Sequence, residues 1–235
     1  MTYRLLDAFK GLFEGQRYRH RSSRLGDWVA MHLYEDLYAL NRSAKLTERI
    51  RKHDRVLAGS NRRRGVEARR GDGTFGDLVP NTPSVQDPGF NVARGEIATV
   101  EIGIEVKILA KAMIKQIDRV INDLNSQIDH LKRKSENAIC VGIVGVNFSD
   151  VYTSYEDRRS YKTDGKTRRH PSQEAADAER RLIARAGPRF DEFLALRFRS
   201  TNAKPYPFEW LDHDEMAKDY GAALVRISSA YDQRF

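Results

Sequence analysis

Between residues 97 and 131 the hydrophobic period of the chain changes from two to about three and a half, and few architectures accommodate that change. Ala98, Val100, Ile102, Ile104, Val106 and Ile108 alternate with Thr99, Glu101, Gly103, Glu105 and Lys107. Alternation of this kind marks a strand with one face buried. Directly afterwards Ile114, Ile117, Ile121, Leu124, Ile128 and Leu131 recur three and four apart, the stripe of an amphipathic helix. A strand that ends in Glu105-Val106-Lys107 therefore feeds a long helix. The run from Ala138 to Phe148 is almost continuously apolar, as expected of a strand buried on both faces and reached by a helical crossover.

The rest of the chain fits around that unit. Leu5, Leu6, Phe9, Leu12 and Phe13 have helical spacing and suggest a packing or dimerisation helix, followed by a basic linker up to residue 24. A helix opening near Asp27 carries Val29, Leu33, Leu37 and Leu40 inward. A second helix is expected over residues 47–58, a hairpin around Arg94-Gly95, and a long polar loop over 151–170. Further expectations are a helix from Pro171 to about residue 186, a strand over 193–199 and a closing helix over 214–231. The pattern is that of one α/β domain spanning 1–235, with a mixed central sheet flanked by helices, a core over 25–202 and a C-terminal helix beyond it.

Charge and composition narrow the function. Lys and Arg number 41 against 33 Asp and Glu, a formal net charge of +8, which favours a polyanionic partner. The single cysteine, Cys140, excludes an internal disulfide framework, and its apolar neighbours point to a core role. No run reaches the roughly 20 apolar residues of a membrane span, so the expected setting is cytoplasmic with no membrane partner. The spacing Gly71, Gly73, Gly76 matches a nucleotide-binding glycine pattern, but it follows an arginine run and ends at Pro80, not in a strand-to-helix turn. The six histidines are dispersed without ligand spacing. No small-molecule cofactor is expected.

Glu105-Val106-Lys107 at the end of a strand, with a helix behind it, resembles the (D/E)xK half-motif of the restriction-endonuclease-like, or PD-(D/E)xK, nucleases. The resemblance extends over the element order of residues 26–202. It implies a restriction-endonuclease-like core and Mg²⁺-dependent hydrolysis of DNA phosphodiester bonds, with Mn²⁺ able to replace Mg²⁺. It also implies metal ligation by Glu105 and the Val106 carbonyl, with Lys107 as the catalytic lysine. No Pro-Asp pair is present, so the first acid of the motif is open. Asp77, followed by Leu78-Val79, is preferred to Asp87, which Pro88-Gly89 follows, and Glu101 shares the face of Glu105 as a further acid. In the family an acid on the preceding helix often reaches the metal, which makes Glu35 a candidate ligand.

Nucleic-acid contacts are expected from the basic runs. Arg62, Arg63, Arg64, Arg69 and Arg70 precede the proposed site, while Lys111 and Lys115 follow it at the start of the long helix. Tyr155, Arg158, Arg159, Arg168 and Arg169 interleave aromatic and cationic groups in the polar segment. Double-stranded DNA cut by a homodimer is the expected form of a restriction or defence nuclease. The alternatives are a nucleic-acid-binding protein without catalysis and an RNA-directed nuclease of the same fold.

Overall fold

The computed structural model describes residues 2–19, 24–58, 72–112, 114–156, 159–166 and 172–235. Six α-helices are defined among these residues: α1 Arg4–Gly11, α2 Arg24–Leu40, α3 Ala44–Arg51, α4 Ile117–Lys134, α5 Ala175–Arg185 and α6 His213–Arg234. The strands are β1 Arg55–Ala58, β2 Gly73–Asp77, β3 Arg94–Gly95, β4 Ile102–Leu109, β5 Ile139–Asn147, β6 Tyr152–Glu156, β7 Arg159–Thr163, β8 Glu192–Arg199 and β9 Glu209–Trp210. Seven of them form one mixed sheet in the order β3-β1-β2-β4-β5-β8-β9, and β6 and β7 pair separately. The α/β class with a mixed sheet flanked by helices is therefore as the sequence implies.

The core of the sheet is the parallel trio β4, β5 and β8. Even-numbered residues of β4 (Ile102, Ile104 and Val106) join the apolar layer formed with α1, α2 and α6. The odd face of β4 turns toward α4, where Gly103 leaves room for Leu131. All nine residues of β5 are buried, which explains its unbroken apolar run. The α4 stripe of Ile117, Ile121, Leu124, Ile128 and Leu131 is almost wholly inaccessible, so its helical spacing reads directly as packing.

Several local expectations are corrected. The helix expected over 47–58 stops at Arg51, His53 turns the chain at φ +56°, and β1 follows. Val56 and Leu57 pair with Gly76 and Phe75, a long-range contact that local periodicity does not contain. The hairpin around Arg94-Gly95 is absent. Those two residues instead form β3, parallel to β1. The long helix does not begin at the end of β4, because a 3-10 turn over Ile114–Gln116 precedes α4. Part of the supposed polar loop is the antiparallel ribbon β6–β7. The N-terminal apolar stripe packs into this chain's own core, with Leu5 and Phe9 fully buried, and so serves packing. Among the described residues no helix is long and apolar enough to cross a membrane.

Candidate functional site

The end of β4 carries the acid and the lysine on one face, as a period of two requires. Lys107 Nζ donates to Glu105 Oε1 at 2.6 Å. The Glu105 side chain is only 9% exposed while that of Lys107 is 30% exposed, so the pair sits at the surface with the lysine outermost. β2 runs antiparallel beside β4, with Gly73 opposite Ile104. Carried one residue further, that register sets Asp72 across from Glu105. The Asp72 carboxylate does reach this tripeptide, because its Oδ2 accepts from the Val106 amide at 2.9 Å.

Asp72 also touches the start of α2. A Cβ on Gly26, in the first turn of that helix, would collide with the Asp72 carboxyl group. The glycine thus lets an anion rest against a helix N-terminus, where the helix dipole and unsatisfied amides favour negative charge. Gly73 is constrained in a similar way, since a Cβ there would strike Ala30 of the same helix. Gly76 lies under the backbone of Thr99. Gly73 and Gly76 are therefore needed for close packing around β2, which accounts for these two glycines without a nucleotide, while Gly71 lies outside the described residues.

Beside Lys107 a cleft of about 430 Å³ opens between the end of β4 and the beginning of α4. Lys107, Lys111, Gln116 and Arg119 contribute to its lining, with Asp123 as its acid. Lys115 is exposed on the adjoining 3-10 turn and does not line it. The walls are held from below by side-chain hydrogen bonds to the backbone. Gln173 binds Ala112 N and Ala110 O, Glu174 accepts from Ile114 N, and buried Asn147 donates to Ala110 O and Ser200 O.

The other proposed acids are placed elsewhere. Asp77 closes β2 five residues beyond Asp72, which is about 17 Å along a strand. There it pairs with Arg55 at 2.5 Å and accepts from Thr99 Oγ1 at 2.6 Å. Glu101 is buried at the same far end, bonded to Arg55 at 2.6 Å and to the Tyr231 hydroxyl. Asp87 pairs with Arg94 at 2.6 Å. Glu35 is 1% exposed and satisfied by the amides of Asn91 and Val92, the Asn91 side chain and Arg4. Its neighbour Asp36 accepts from the amides of Arg4 and Leu5, capping α1, while burial raises its pKa. These two acids of α2 fix the N-terminal helix and the 89–92 turn, and neither is brought to Glu105 by the contacts they make.

Sequence reasoning missed Asp72. The available signal is an acid immediately before a strand; apolar Leu78-Val79 after Asp77 imitates it locally, whereas the strand is Gly73–Asp77 and the acid before it is Asp72. Glycine-rich GTFGD has little intrinsic strand preference, and only its neighbours make it one. Of the expected nucleic-acid residues, Arg62, Arg63, Arg64, Arg69, Arg70, Arg158, Arg168 and Arg169 lie outside the described residues. Arg159 is exposed on β7, and the Tyr155 ring of β6 lies 4.0 Å from the Arg17 guanidinium.

Cys140 is fully buried and its thiol pKa is pushed up to about 11 by burial, which suits a core residue and not a nucleophile. Among the described residues no group of three or more His, Cys, Asp or Glu is arranged to hold a metal ion. Two carboxylates on adjacent strands are nonetheless an all-oxygen set of the kind Mg²⁺ uses, since that ion is commonly bound by one or two carboxylates and keeps several waters. Asp72 and Glu105 fit that description. Comparison with known proteins adds no relative: no family model, no curated protein and no solved structure matches this chain.

Proposed function

We propose that the chain is a metal-dependent phosphodiester hydrolase acting on DNA, of restriction or defence type, with its site at Asp72, Glu105 and Lys107. The observation that carries this reading is that the Glu105–Lys107 pair near the end of central strand β4 lies beside Asp72, which accepts from the Val106 amide. Asp72 replaces Asp77 as the first acid, and Glu35 is left out. With the Val106 carbonyl, Asp72 and Glu105 would hold Mg²⁺ or Mn²⁺, which when bound supplies positive charge to the phosphate and lowers the pKa of a coordinated water.

The protein's own groups account for the rest of the chemistry. Lys107, held by Glu105 and partly exposed, can orient an attacking water and offset charge developing on the phosphate. Lys111 and Arg119 line the adjoining cleft and offer cations to the phosphates that flank the cut. The start of α2 rests against the Asp72 carboxylate and helps to position it, at a helix end whose dipole favours negative charge. Cleavage of both strands of a duplex would be the work of a homodimer, and a cytoplasmic setting belongs to the same proposal.

Incubation of the purified protein with supercoiled plasmid tests the reading. Nicking or linearisation is expected in Mg²⁺ or Mn²⁺ and is abolished by EDTA. Asp72→Asn should reduce it at least about a hundredfold, the scale of a lost catalytic electrostatic contact. No cleavage of plasmid or genomic DNA in either metal, by a protein that still binds DNA, would favour the non-catalytic alternative. Cleavage of RNA in preference to DNA would move the substrate, not the site.

A further inference from the structure

We infer that the β6–β7 ribbon and the cleft at its base bind an unpaired DNA strand and lead it to the acid corner. This rests on the reading of the chain as a DNA hydrolase and narrows its substrate to DNA carrying a single-stranded stretch. The ribbon is asymmetric. Tyr152, Thr153 and Ser154 of β6 are buried, and the amide of Thr153 donates to Thr201 O. Asn202 completes the anchor by donating to Tyr152 Oη and Thr153 O and accepting from Tyr18 N. In β7, by contrast, Arg159, Ser160, Tyr161 and Lys162 are all exposed. A firmly moored strand thus presents a cationic and aromatic edge to solvent.

The edge continues into the body of the protein. Arg17, exposed in the turn after α1, lies with its guanidinium 4.0 Å from the centre of the Tyr155 ring. Arg17 and Arg19 then line a cleft of about 560 Å³ with Gln16, Tyr18, Leu25 and Tyr206. Leu25 immediately precedes Gly26, against which the Asp72 carboxylate rests. The ribbon thus adjoins the cleft through Arg17, and the cleft adjoins the start of α2 against which Asp72 rests.

The chemistry of the path selects its occupant. Arginines and lysines suit a phosphate backbone, and aromatic rings and guanidinium planes suit the faces of unpaired bases. A cleft of this volume is in the range of small-ligand sites. It has room for a nucleotide-sized segment. An acidic peptide would use the cations but leaves the exposed Tyr161 and the stacked Arg17–Tyr155 pair without a role.

Fluorescence anisotropy in EDTA tests this without cleavage, using a labelled single-stranded oligonucleotide and its duplex. The single strand is expected to bind at least about tenfold more tightly. Tyr161→Ala should weaken it roughly tenfold, within the range of one lost base–aromatic stack. Arg159→Ala with Lys162→Ala should weaken it and lessen its salt dependence. All three side chains are exposed, and an unchanged thermal melt confirms that each variant folds. Equal or tighter duplex binding, or single-strand affinity untouched by these substitutions, overturns the inference. If binding behaves as expected while no metal supports cleavage, the hydrolase reading falls and the surface stands. If cleavage occurs but the ribbon variants bind and cut as the parent does, the surface falls and the hydrolase stands.

Discussion

The two ends of the β2–β4 pair carry similar residues in opposite circumstances. At one end Asp77 and Glu101 meet Arg55, with Arg49 and Tyr231 behind them. At the other Asp72 and Glu105 meet Lys107. Glu101 has its carboxylate spent on Arg55, Arg49 and the Tyr231 hydroxyl, so it ties β4 to β1, α3 and α6. The Lys107 end has instead a partly exposed cation and a cleft of about 430 Å³ beside it. Charge pairing alone does not make a site. What distinguishes the Lys107 end is that its lysine lines a cleft, whereas Arg55 and Arg49 at the Glu101 end are held in ion pairs.

The largest expected effect follows from that contrast. Lys107→Ala should lower plasmid cleavage about a thousandfold, within the span for a lost acid–base or electrostatic group. Its thermal midpoint should remain within a few degrees of the parent. A loss of stability in proportion to the loss of cleavage would make the Lys107 end structural too, and would erase the distinction.

Glu101→Ala should do the reverse. It removes the buried carboxylate shared by Arg55, Arg49 and the Tyr231 hydroxyl and leaves Arg55 with Asp77 as its strand-end partner. Losing one side of a buried ion pair typically costs about 3–5 kcal/mol. Urea unfolding should record that loss, while cleavage per folded molecule is retained. A Glu101 variant that stays stable but no longer cuts would move the chemistry to the enclosed end.

The sequence made much of this legible, and unevenly so. β4, α4 and β5 are visible because each buries its own periodic face, and periodicity is local information. Glu105 and Lys107 share a face for the same reason. Asp72 was not visible, because its place depends on Gly26 in α2 and on the register of β2 against β4, both long-range facts. Glu35 is a candidate through the family resemblance alone, and its surroundings are likewise long-range: the amides of Asn91 and Val92 and the guanidinium of Arg4 converge on it from distant segments. The ribbon was hidden by its polar composition, although tyrosine and threonine in β6 and β7 are good strand formers.

Gly26→Ala sharpens the comparison at the open end. In a helix exposed to solvent, alanine would be favoured over glycine by about 1 kcal/mol. Here the added methyl collides with the Asp72 carboxylate, so that carboxylate must move. Cleavage should fall by roughly tenfold or more, since small displacements of a positioned group are costly in rate. The stability change should stay within about 1 kcal/mol as the helix gain offsets the strain. A Gly26→Ala variant that cleaves as the parent does would show that Asp72 has no part in the proposed reaction.

The smallest expected effect comes from Asp77→Asn, and it decides between two acids on one short strand. Asp77 is 36% exposed, and Arg55, its partner, keeps Glu101 when the charge is removed. Partly exposed pairs contribute little, so urea unfolding should show a loss of less than about 1 kcal/mol. Cleavage should be unchanged, because β2 carries Asp77 away from Glu105 with every residue beyond Gly73. Asp72→Asn, the same chemical change at the other end of the strand, should lower cleavage about a hundredfold with little effect on unfolding. If the two variants exchanged these behaviours, the first acid would be Asp77 and the catalytic end of the sheet would be the one that Arg55 and Glu101 close.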